Sequence, residues 1–62
     1  SFKEDQQIAI EQKNVVHMRE ERKIEIERLR SQIEMTRSEL LNPSLSKEQK
    51  KKLEDQLTKL QE

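Results

Sequence analysis

Apolar residues recur along the chain at Ile8, Val15, Met18, Ile26, Leu29, Ile33 and Leu40. From Ile26 onward they advance in steps of three and four, with Thr36 filling one layer, which is the spacing of a heptad seam. Between Met18 and Ile26 the steps are four and four through Arg22, a stutter that locally unwinds a supercoil. A thinner set, Ile10, His17, Ile24 and Met35, lies more than about 90° away around the same helix. A third set, Leu53, Leu57 and Leu60, follows an interruption.

The interruption is Leu41-Asn42-Pro43-Ser44-Leu45-Ser46. Proline lacks the N–H and clashes with the preceding turn, so Pro43 inside a helix costs about 3 kcal/mol and pushes Asn42 away from helical backbone angles. Two restarts fit. Ser46 with Gln49 three residues on has the form of a capping box, whereas Asn42 as cap would place Pro43 at the first helical position. A kinked continuous helix is the competing reading, and phase decides against it. At about 100° per residue Ile26, Leu29, Ile33 and Leu40 lie within roughly 60° of one another, but on an uninterrupted helix the last three leucines would point roughly 140° away. A reversal lets the two stripes face each other.

The expected fold is therefore all-α: a coiled-coil hairpin of one long and one shorter antiparallel helix, oligomerising into a helical bundle. Residues 1–62 form one segment, with a helix over about 6–41, a turn over about 42–46 and a helix over about 47–61. Residues 1–7 have Phe2 as their one apolar group and are expected to fray, although Glu4 and Asp5 suit a helix N-terminus. The close in Gln61-Glu62, without glycine or a polar cap motif, suggests a piece of a longer protein. Folded back, Leu53 meets Ile33 and Thr36, Leu57 meets Leu29, and Leu60 meets Ile26. The intrachain seam is thus Ile26, Leu29, Ile33, Leu40, Leu53, Leu57 and Leu60.

Ile8, Val15, Met18 and Arg22 are left without an intrachain partner and form the expected interchain interface. Arg22 is either a register-setting polar layer or, more commonly for such residues, a stem that snorkels its charge to water. Ile10, His17, Ile24 and Met35 are either scattered surface residues or a second face for another helix.

Composition narrows the function more than it names it. The 62 residues are 42% charged and 29% hydrophobic, with no Gly, Cys, Trp or Tyr, a mixture typical of long helices and coiled coils. Thirteen bases against thirteen acids leave no net charge to force the chain open, and the regular apolar spacing favours helix over disorder. So short a hairpin has little core, and no disulfide or zinc ligand set compensates, so association is the expected source of stability. No run of about 20 apolar residues is present for a membrane span. Glu20/Lys23, Glu25/Arg28, Glu27/Arg30, Glu34/Arg37 and Arg30/Glu34 sit three or four apart, each adding a few tenths of a kcal/mol at most.

The chemistry of catalysis is missing. His17 is the one histidine, a Glu-x-x-His metal motif would need Glu where Asn14 stands, and no glycine loop exists to cradle phosphate. His17 with Glu20 or Glu21 is a weak metal clip, and a lone helix histidine is far more often a surface residue. We expect no enzyme, no cofactor and no metal. Nucleic-acid binding is disfavoured too, because Arg19, Arg22 and Lys23 alternate with Glu20, Glu21 and Glu25, and Phe2 is the one aromatic.

One charge run remains. Arg37, Lys47, Lys50, Lys51 and Lys52 oppose Glu39 and Glu48 over residues 35–52, a net +3 that leaves −3 on the rest. Such a basic tip is usually a solvated face, and otherwise a site for an acidic filament or membrane surface. The expected hairpin resembles the finger domains of Rho effectors in architecture alone, with no shared motif. That likeness implies the alternative to self-association, a helical hairpin docking on a folded protein partner such as a small GTPase.

Overall fold

The long stretch without Gly or Pro folds as a single helix, α1, from Phe2 to Leu40, and the segment after the turn folds as α2, from Lys47 to Leu60. The computed structural model describes all residues, Ser1–Glu62, and contains no strand. α2 packs back along α1, so the chain is a two-helix hairpin.

α1 starts a full turn earlier than its apolar pattern implies, and the expected fraying of residues 1–7 is not what the structure has. Ser1 caps the helix, its hydroxyl accepting the Glu4 N–H at 3.4 Å, and its amino group lies 3.6 Å from Glu4 Oε2. Glu4 and Asp5 occupy the first turn, where the exposed N–H groups favour negative charge. Capping and charge extend the helix where there is no apolar face to bury.

The turn settles the choice of cap. Leu41 and Asn42 donate back to Ser38 and Glu39 carbonyls, each at 3.1 Å, closing α1 with tighter, three-residue turns. Asn42 then turns its side chain forward, Oδ1 accepting the Ser44 N–H at 3.0 Å. It does not cap α2. Ser46 does: its hydroxyl accepts the Gln49 N–H at 3.0 Å, and Gln49 Oε1 accepts the Ser46 N–H at 2.9 Å, completing the capping box.

Between the helices Leu29, Ile33 and Leu40 of α1 and Leu53, Leu57 and Leu60 of α2 are half-buried, joined by Leu45 from the turn. The one fully buried residue is Thr36, 3% exposed, whose hydroxyl donates to the Gln32 carbonyl at 2.8 Å. The molecule measures 67 × 15 × 9 Å, two rods side by side and one rod thick. In that geometry the apolar seam residues are shielded from one side only, which is why none of them is fully buried. Two residues differ from the expected seam. Leu45 joins it, because the capping box fixes the turn directly over the end of the interface. Ile26 remains 49% exposed, because α2 ends at Leu60 and no further turn covers it.

Candidate interaction surface

α1 outruns α2 by about 25 residues, roughly 37 Å of helix with no covering element. On that length Ile8, Val15 and Met18 lie in line with the covered seam, yet each remains about half exposed, as does Ile26. The covered and uncovered parts are thus one continuous stripe, closed at the turn end and open toward Ser1. Arg22 sits within the stripe. With Arg19, Lys23, Glu27 and Arg30 it lines a shallow open groove around Ile26, four bases and one acid, immediately beyond the reach of α2.

The second set is on another side. Ile10, Ile24 and Met35 are all more than half exposed, and His17 Nε2 lies 2.9 Å from Glu21 Oε1 in an exposed pair. Because the two stripes oppose one another, α1 taken whole has almost no net apolar face, whereas α2 has a pronounced one. Val16 is a further exposed apolar residue, between the stripes and with no periodic mate to mark it.

The charged surface is solvated. Two ion pairs close within 4 Å, Ser1 with Glu4 and Lys52 with Glu48 at 3.8 Å, beside the contact of His17 with Glu21. The five pairs expected from spacing are not among them. Each would gain only a few tenths of a kcal/mol, too little to hold two long exposed side chains in one rotamer. At the turn end Arg37, Lys47, Lys50, Lys51 and Lys52 are all exposed. No three His, Cys, Asp or Glu side chains gather where they could hold a metal ion. No helix is long and apolar enough to cross a membrane.

The accessible surface puts a size on what is open. The chain exposes 6002 Å², against about 4,250 Å² for a compact monomer of 7.5 kDa. The excess of roughly 1,750 Å² reflects the elongated shape and is about twice the ~800 Å² that each partner contributes to a standard interface. No protein family, characterised protein or solved structure matches the chain.

Proposed function

We propose that the chain is a non-enzymatic coiled-coil association module that pairs with itself through Ile8, Val15, Met18 and Arg22 of α1. The observation that carries this reading is the apolar stripe that, interrupted at Arg22, runs along α1 but is covered only over its last third. Burying an aliphatic side chain fully is worth about 1.5–3 kcal/mol, so three or four of them in one contact supply what the thin hairpin interface lacks. A mate carrying the same stripe is the simplest cover, since closed dimers of like chains are the commonest assemblies.

Sedimentation equilibrium tests the proposal. The wild-type chain is expected to weigh at least twice 7.5 kDa at high micromolar concentration, and a Val15→Glu, Met18→Glu variant is expected to stay monomeric. A well-folded wild-type monomer would rule out self-association and turn attention to a foreign partner, docked on α1 or on the basic tip.

A further inference from the structure

The seam divides the hairpin into two broad sides, and their charges differ. On α1 the position after Leu29 and Thr36, continued by sevens, holds Lys23, Arg30 and Arg37, with Val16 one heptad earlier. The position before Ile26, Ile33 and Leu40 holds Glu25, Gln32 and Glu39, on the opposite side. A straight helix drifts about 20° per heptad, so Val16 through Arg37 stay within roughly 60° of one another. Arg19, four residues before Lys23, and Leu41, four after Arg37, fall within that arc. Arg19, Lys23 and Arg30 line one groove, as this phase requires.

α2 extends the basic side. In an antiparallel pair like flanks adjoin, so Glu54, the position after Leu53, and Lys47, one heptad earlier, lie on the side of Arg30 and Arg37. Lys50 lies about 60° around from Lys47, toward α1. Six bases therefore share this side with three acids, Glu27, Glu34 and Glu54, whereas on the other side Glu21, Glu25 and Glu39 balance Arg28, Lys52 and Lys59. All six are exposed and none closes an ion pair, while Lys52 on the other side lies 3.8 Å from Glu48. Two exposed apolar side chains accompany the bases: Val16, and Leu41 at 82%.

Such a side suits a flat anionic surface. Its charges are dispersed, advancing about 10 Å per heptad along α1, and are not gathered around an apolar centre as in a specific protein interface, from which lysine is depleted. Long basic stems keep their charge at a headgroup layer while their methylenes, with an aliphatic side chain such as Leu41, sit just beneath it. We propose that Lys23, Arg30, Arg37, Lys47 and Lys50, with Leu41 at the turn, adsorb the hairpin broadside on a bilayer surface that contains anionic lipid. The contact uses none of the residues assigned to self-association, so either reading can fail alone.

Flotation with lipid vesicles tests the proposal. The wild-type chain is expected to float with vesicles of phosphatidylcholine and phosphatidylserine at about two to one, but not with phosphatidylcholine alone, and to be released at about 0.5 M salt. A base near a charged bilayer is worth about fivefold in partition, so Lys23→Gln, Arg30→Gln and Arg37→Gln combined should weaken binding about a hundredfold. Arg28→Gln, Lys52→Gln and Lys59→Gln combined remove the same charge from the other side and should weaken it less than about threefold. Leu41→Trp gives the chain its one tryptophan, whose emission is expected to shift to the blue on binding. Circular dichroism and sedimentation of each variant without lipid separate folding and self-association from adsorption. No flotation with the anionic vesicles, equal losses in the two triple variants, or an unshifted tryptophan overturns the proposal. Capture on soluble polyglutamate without flotation also overturns it and assigns the side to an acidic protein.

Discussion

Leu29 and Ile26 are neighbours on one stripe of one helix, three residues apart, and they have different fates. Leu29 is half-buried beneath α2, whereas Ile26 keeps 49% of its surface in water. The same contrast holds between the turn end of the hairpin, from Leu29 through Leu60, and the open end, from Phe2 through Ile26. Both have aliphatic residues at seam spacing with charges around them. What separates them is the length of α2, which stops at Leu60. Side-chain character marks a face as capable of burial, and only a covering element makes it buried. The open end is therefore the part of the apolar stripe that the chain's own second helix leaves uncovered.

Severing the covered end is expected to have the largest effect. Leu53→Asp with Leu57→Asp places two carboxylates in the half-buried seam, at a cost of more than about 3 kcal/mol, and α2 detaches. A free helix of 14 residues is marginal in water, so circular dichroism should lose about a quarter of its helical signal, the share of α2 among the helical residues. The mass measured by sedimentation should not fall, because the proposed contact of the open end does not use α2. If the mass falls to that of a monomer together with the helicity, the two ends are one cooperative unit and the contrast between them is only one of exposure.

A smaller effect sharpens the contrast within α1. Leu29→Ala is expected to cost about 1–2 kcal/mol in thermal or urea unfolding, less than the 2–5 kcal/mol of a fully enclosed leucine, because the seam is open on one flank. Ile24→Ala, on the second stripe and 56% exposed, is expected to cost less than about 0.5 kcal/mol. Equal losses at the two positions would show that the second stripe is also covered in the assembled state and would make the module a bundle with two interfaces on α1.

The hairpin was legible because proline and phase agree: Pro43 breaks the helix where the two leucine-rich stripes stop sharing a face. The cap was legible as one of two candidates, and the tie was decided by Asn42, whose side chain is used within the turn. The start of α1 was not legible from apolar spacing, since Ser1, Glu4 and Asp5 extend the helix by capping and charge without burying anything. Ile26 was placed in the seam because periodicity has no information about where a partner helix ends. The spaced ion pairs were over-read for a related reason: spacing permits an exposed pair, while solvent decides whether it closes. Of the candidate surface, the alignment of Ile8, Val15 and Met18 along one side of α1 was readable from spacing alone.

The smallest expected effect concerns the most buried residue of the hairpin. Thr36 is the one residue the hairpin fully buries, and its hydroxyl is satisfied by the Gln32 carbonyl of its own helix, with no bond across to α2. That carbonyl is also the one to which the backbone N–H of residue 36 is directed in a regular helix, so removing the hydroxyl strands no buried acceptor. A buried methyl, by contrast, is worth about 0.8 kcal/mol. Thr36→Val keeps the shape and adds apolar surface, so it should leave stability unchanged or raise it by about 0.5 kcal/mol, whereas Thr36→Ser keeps the hydroxyl, loses the methyl and should cost about 1 kcal/mol. Paired urea titrations of the two variants decide the matter. Should Ser be tolerated and Val destabilise, the hydroxyl is holding the layer together, and the tightest contact at the covered end is a polar one, unlike the aliphatic layers proposed for the open end.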